Sequence, residues 1–189
     1  MNQFKKDFYK KISFDKDILR SKSILLEKIF NQNIIVIGGA GTIGSSYIKQ
    51  ILKYKPSKLT VVDINENGLT ELTRDLRSSN LLDYDPEYIT YPVNLLSDTF
   101  DKIFNSETWQ VVANFSAHKH VRSEKDKISV EALIKNNVYG AIKLLNLSEL
   151  NPPKYFFSVS TDKAANPVNI MGASKSLMEK IILSKKEKF

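Results

Sequence analysis

Ile34-Ile35-Val36-Ile37-Gly38-Gly39-Ala40-Gly41-Thr42-Ile43-Gly44 is the stretch that decides how this chain folds. Four consecutive β-branched residues make a strand buried on both faces, and a cluster of glycines marks its end. From Ile43 the apolar positions Tyr47, Ile48, Ile51 and Leu52 recur at helical spacing until Pro56. A strand, a glycine loop and a helix in that order leave free N–H groups of a helix N-terminus facing outward. Gly38, Gly41 and Gly44 fall at three-residue spacing, with Thr42 and Ile43 between the last two, and such a loop lets the backbone approach a pyrophosphate. Asp63 closes the next apolar run, 59–62, where a carboxylate accepts hydrogen bonds from the adenosine ribose hydroxyls and repels a 2′-phosphate. The pattern therefore predicts NAD ahead of NADP, although Asn65 and Asn67 leave NADP open. No Lys-Ser or Lys-Thr pair follows the loop, which excludes a nucleoside-triphosphate loop.

Outward from this stretch, apolar runs alternate with amphipathic ones. Residues 66–78 read as a helix through Leu69, Leu72 and Leu76, and 88–93 as a strand weakened by Pro92. A short helix covers 100–104 and a strand 111–115. Val130, Leu133, Ile134, Val138, Ile142 and Leu145 mark one long helix, a strand follows at 155–159 after Pro152-Pro153, and a last helix runs from 170 to 182. Trp109 and Tyr155 are expected to pack beside their strands. Strands that are apolar throughout and alternate with helices specify an α/β fold, a doubly wound parallel sheet of Rossmann type. Its ligands bind beyond the carboxyl ends of the strands. Residues 1–32 are read as an N-terminal helical extension, packed on the domain edge or on a partner subunit, ahead of a domain over 33–189. Their irregular apolar spacing argues against a membrane-surface helix.

The 189 residues carry 28 Lys plus Arg against 21 Asp plus Glu, a net charge of +7. That suits an anionic partner, but the lysines are dispersed rather than gathered in a stripe with aromatics, so no nucleic acid is expected. The absence of cysteine excludes disulfides, thiolate metal sites and a catalytic thiol. No apolar run is long enough to span a bilayer, and Lys5, Lys6, Asp7, Lys10 and Lys11 occupy the place of a signal peptide's apolar stretch. These features point to the cytoplasm. His118 and His120 lack a carboxylate or third His at ligand spacing, so no metal is expected. The segment 122–127 reads as a solvated charged turn.

Three further segments add chemistry. They are Ala113-Asn114-Phe115-Ser116-Ala117-His118-Lys119-His120-Val121, Ser160-Thr161-Asp162-Lys163-Ala164-Ala165-Asn166-Pro167 followed by Met171-Gly172-Ala173-Ser174-Lys175, and Asn136-Asn137-Val138-Tyr139-Gly140. With the glycine loop, they resemble the extended short-chain dehydrogenase/reductase superfamily, and within it the nucleotide-sugar 4,6-dehydratases of polysaccharide biosynthesis. The resemblance covers about residues 33–182. It implies a redox-neutral loss of water from UDP-N-acetylglucosamine: oxidation at C4, elimination across C5–C6, and return of the hydride to C6. On this reading Thr161 hydrogen-bonds the C4 oxygen, Asp162 is the acid toward the C6 hydroxyl, and Lys163 is the C5 base, kept neutral by burial and nearby positive charge. Lys175 holds the nicotinamide ribose. Asn137 matches a helix-borne Asn that supports a proton-relay water. Asn94 and Ala117 fall with the cofactor, and Lys119, His120 and Asn166 with the substrate.

Two positions depart from the resemblance. The usual Tyr-x-x-x-Lys stands here as Met171-x-x-x-Lys175, and a thioether takes no proton, so the acceptor for the C4 hydroxyl is left among Asp162, Lys163 and a relayed water. Asn94 stands where relatives often carry Asp. A nucleotide-sugar 4-epimerase is the alternative enzyme, although it normally needs Tyr at 171, and a non-catalytic NAD-binding module is the alternative outside catalysis. The resemblance also implies strands and a carboxyl-terminal substrate lobe beyond Phe189. The expectation is a chain that holds NAD, associates with itself, and turns over substrate negligibly alone.

Overall fold

The computed structural model describes residues 14–118 and 124–185. Two short helices come first, α1 (Phe14–Arg20) and α2 (Lys22–Ile29). The chain then runs β1 (Asn33–Ile37), α3 (Thr42–Leu52), β2 (Lys58–Asp63), α4 (Glu66–Ser78), β3 (Glu87–Pro92), α5 (Asp98–Asn105) and β4 (Val111–Asn114). It continues with α6 (Lys127–Ile134), a π-helical turn (Lys135–Tyr139), α7 (Gly140–Leu150), β5 (Tyr155–Ser158), a 3₁₀ turn (Asp162–Ala164) and α8 (Ile170–Ser184). The five strands form one parallel sheet in the order β3-β2-β1-β4-β5.

Each strand divides its side chains between two cores. In β1, Ile34 and Val36 face α3 and α4 together with Ile48, Leu52, Leu69 and Leu76. Ile35 and Ile37 face the other layer with Phe100, Phe104, Trp109 and Leu144. This period-two split of an unbroken apolar run is what a sheet covered on both faces requires. Trp109 is buried, and its indole N–H donates to Phe104 O at 2.8 Å. Tyr155 is more exposed than the sequence suggests; its hydroxyl accepts from Lys28 Nζ at 2.8 Å, which ties α2 to β5. Ile29 of α2 joins the α3/α4 core. Pro92 ends the edge strand β3, a place where a missing N–H costs no ladder bond.

One element differs from its sequence reading. The expected continuous helix over 130–145 is broken into α6, a π turn and α7. The extra residue in that turn buries Asn137 and Val138 together. Because the winding reverses between β1 and β4, the loops after those two strands diverge and leave a crevice at the carboxyl ends of the sheet.

Candidate active site

The crevice is built first by the glycine loop. Gly38 has φ +76°, and a Cβ there would lie 2.5 Å from Ser116 N, so only glycine lets the loop cross the start of the segment after β4. A Cβ on Gly44 would lie 2.4 Å from Gly38 O. Gly41 is different: its Cβ would meet nothing closer than Gly38 O at 3.5 Å. The protein's own packing therefore does not demand glycine at 41, and the space before it is a cradle that a side chain would fill. Gly41 caps α3, and its carbonyl accepts the first helical bond from Ser45 N at 2.8 Å. The N–H groups of Thr42, Ile43 and Gly44 are left as the outward donors of that helix. This arrangement fits a pyrophosphate.

Asp63 stands at the end of β2 beside the loop. Its Oδ2 accepts from Ala40 N at 2.9 Å and its Oδ1 from Asn65 N at 3.0 Å, so the carboxylate fixes the loop with one lone pair on each oxygen still available. A cavity of about 170 Å³ opens next to it, bordered by Asp63, Ile64 and Asn94 and, on its inner wall, by Gly38, Gly41 and Ala117. Asn94 Oδ1 accepts from Leu96 N at 2.8 Å, which leaves the amide nitrogen toward solvent or a ligand.

Across the same wall lies a second cavity of about 220 Å³, bordered by Gly38, Gly41, Thr42, Ile43, Gly44 and Ala117 on one side and by Ser160, Thr161, Met171 and Lys175 on the other. Both cavities share Phe115 and His118. The structure thus brings the loop, Asp63, Asn94, Thr161, Met171 and Lys175 around one crevice in two parts that share Gly38, Gly41, Phe115, Ala117 and His118.

The far wall is held by α8. Asn169 caps that helix by accepting from Gly172 N at 2.8 Å, and a Cβ on Gly172 would lie 2.5 Å from Lys163 O, so the 3₁₀ turn rests directly on the helix start. Thr161 Oγ1 donates to Asp162 Oδ1 at 2.9 Å, and the same carboxylate oxygen accepts from Lys163 N at 3.0 Å. Asp162 and Lys163 are exposed at the mouth rather than buried. Burial falls instead on Lys175, only 3% exposed. Removal from water pushes its amine down to about 8, with Glu179 on the same helix pulling the other way.

Asn137 sits behind this wall. Its Oδ1 accepts from His118 N at 2.9 Å, and its Nδ2 donates to His118 O at 3.1 Å and to Ser174 Oγ at 3.0 Å. Its amide binds the β4 loop to α8. Asn166 is exposed and borders neither cavity. Lys119 and His120 lie outside the described residues. The charged segment after them is not merely solvated, because Glu124 Oε1 accepts from Met171 N at 2.6 Å and anchors the first turn of α8. The sequence shows Ser160 and Gly172 within its motifs without indicating these contacts, and nothing in it points to Glu124. For Gly172 the signal was present, as a small residue three positions after the capping Asn169.

Residues 34–189 match the model of the polysaccharide biosynthesis protein family. The chain belongs to that family. A relative named an uncharacterized membrane protein, from Methanocaldococcus jannaschii, is 34% identical over 157 residues, which span 82% of this chain and 43% of that protein. A UDP-N-acetylglucosamine 4,6-dehydratase (inverting) of Campylobacter jejuni is 30% identical over 161 residues, 82% of this chain and 44% of its own length. The chain thus spans less than half the length of these family relatives. Among solved structures, a UDP-Glc/GlcNAc 4-epimerase of C. jejuni superposes with a TM-score of 0.71 at 20% identity, over 82% of this chain and 49% of that one. The Bordetella bronchiseptica enzyme WbmF in complex with NADH gives 0.65 at 17%, over 85% and 47%. These likenesses show the Rossmann-type fold. The archaeal family member's name overturns the cytoplasmic assignment made from the sequence, because lack of an apolar run in this stretch does not place the protein. Among the described residues no helix is long and apolar enough to cross a membrane.

Proposed function

We propose that the chain is the dinucleotide-binding and catalytic part of a nucleotide-sugar 4,6-dehydratase acting on UDP-N-acetylglucosamine. The observation that carries this reading is the turn Thr161-Asp162-Lys163 seated on α8 at the mouth of the cavity that the glycine loop also borders. NAD bound there supplies the hydride acceptor and later the hydride donor. Asp63 receives the ribose hydroxyls, Asn94 the adenine edge, and the α3 N-terminus the pyrophosphate. The described border of the adenosine side carries Asp63 and no Lys or Arg, which favours NAD over NADP.

On the sugar side, Thr161 releases its bond to Asp162 and turns to the C4 oxygen. Asp162 protonates the departing C6 hydroxyl, and Lys163 removes the C5 proton once C4 is a ketone. Both are exposed here, so catalysis requires something to cover the mouth and exclude water. Lys119, His120 and Asn166 are the substrate contacts of this reading, and self-association is part of it.

The 4-epimerase remains the second reading, supported by the likeness to the C. jejuni epimerase in fold. Met171 weighs against it, since reversible oxidation at C4 alone has no use for an Asp-Lys pair and normally draws on a phenol at that position. Protein at stoichiometric concentration, loaded with NAD and incubated with UDP-N-acetylglucosamine in deuterated water, separates the two. Dehydration gives a product lighter by one water and labelled at C5, and Lys163→Met abolishes the label. A product of unchanged composition, inverted at C4 and unlabelled, makes the protein an epimerase.

A further inference from the structure

Resting on that dehydratase reading, we propose that Lys175 is the proton acceptor for the sugar hydroxyl that is oxidised, in addition to its place beside the cofactor. Met171, 2% exposed, borders the cavity where a phenol would otherwise stand, and its thioether carries no exchangeable proton. Lys175 lies one helical turn further along the same face of α8 and borders the same cavity. Its Nζ approaches Met178 Sδ at 3.2 Å, and among the described residues no carboxylate reaches it at ion-pair distance. The charged and titratable groups around it are otherwise engaged or set apart. Glu179 acts from the next turn of α8, Glu124 is spent on Met171 N, Asp162 is held by Thr161 and Lys163 N, Lys163 is exposed, and His118 stands across the cavity. Burial is therefore the dominant influence on this amine, and it favours the neutral, proton-accepting form.

A second unsatisfied group lies in the same wall. Ser160 Oγ is buried without a partner. Ser158 Oγ, two residues earlier, approaches Met178 Sδ at 3.5 Å, so the end of β5 lies against α8, and Ser160 borders the same cavity as Lys175. Its unpartnered hydroxyl is a polar group that the same cavity offers to a ligand or to the ammonium. In the step itself, the substrate O–H bond breaks and its proton forms an N–H bond on neutral Nζ, while the carbon is oxidised to a carbonyl and its hydrogen leaves as hydride to an oxidised nicotinamide. The ammonium then loses its proton to solvent before the next turnover.

The test is an NMR titration of the whole chain labelled with ¹³C and ¹⁵N at the lysine side-chain ends, with Lys175→Met to assign the resonance and calorimetry to establish dinucleotide binding. The expected result is one lysine titrating near pH 8, absent in Lys175→Met, whose midpoint falls further with oxidised NAD and not with NADH, because only the oxidised ring is cationic. A Lys175 midpoint near the ordinary lysine value of about 10.4 overturns the proposal. So does a midpoint near 8 that bound oxidised NAD leaves unmoved, since the amine is then remote from the reacting ring. If calorimetry detects no binding of either dinucleotide, the dehydratase reading itself falls, and this proposal with it.

Discussion

The two halves of the crevice are finished to different degrees. On the side of Asp63, proposed for adenosine, the carboxylate is bonded to the loop and to Asn65 N, Asn94 closes its own turn, and the core behind them is continuous. On the side of α8, proposed for catalysis, Lys175 and Ser160 are buried without an oxygen partner, Asp162 and Lys163 stand in solvent, and Val168 is 89% exposed. The first half meets its polar groups with hydrogen bonds of its own. The second holds polar groups at the cost of desolvation, an arrangement that becomes favourable only when a ligand or covering structure meets them.

That contrast predicts opposite signs for substitutions in the two halves. The largest effect belongs to the finished side. Gly38→Ala forces a β-carbon into Ser116 N at a positive φ and should destabilise the fold by about 3 kcal/mol or more, read by denaturant unfolding. A change within a few tenths of a kcal/mol would show that the loop relaxes freely and that its geometry is not fixed by packing.

Lys175→Met should do the reverse and stabilise the unliganded chain at pH 7, by roughly 1–3 kcal/mol. The folded-state value of about 8 lies below the ordinary 10.5, so the charged amine penalises the wild type fully below pH 8. Between pH 8 and 10.5 the folded state binds fewer protons than the unfolded, and wild-type stability rises with pH. The advantage of the variant therefore shrinks across that window. Unfolding curves for the pair at pH 7 and pH 10 measure it, and a variant less stable at pH 7 would show that Lys175 has a partner.

Asp63→Ala is the smaller change. It should cost about tenfold in NAD affinity and narrow the preference over NADP, while removing the carboxylate oxygens that accept from the backbone N–H groups of Ala40 and Asn65. Calorimetry giving equal NAD affinity in both proteins would take Asp63 out of the site.

The same contrast governs what the sequence discloses. The finished half is written locally: a β-branched run, glycines at its end, a helix start and an acidic residue closing the next strand all lie in contiguous residues. Asn65 and Ser97 cap α4 and α5 through bonds a few residues long. The catalytic half depends on contacts distant in sequence. Apolar positions from Val130 to Leu145 fit one continuous helix, whereas the π turn, in which Asn137 bonds His118 and Ser174, is nothing that periodicity displays. The lysine pair is instructive. The sequence motif places a neutral base at Lys163, yet that residue of the 3₁₀ turn is exposed, while Lys175 shares its face of α8 with Met171 and Met178 at i−4 and i+3. That spacing was visible in the sequence. Its consequence for charge was not, because burial depends on the strands against which the helix packs.

The central claim is that a dinucleotide lies across the crevice with its pyrophosphate against Gly41, and Gly41→Ala tests it most directly. A β-carbon there meets only Gly38 O at 3.5 Å within the protein, but on the proposed reading would stand where the phosphates bind. Calorimetric titration with NAD, alongside thermal unfolding of both proteins, should show saturable one-to-one binding to the wild type. The variant should lose that binding at least tenfold while its unfolding stays within about 0.5–1 kcal/mol of wild type. Equal NAD affinity in the two proteins, or no binding to the wild type, would contradict the account.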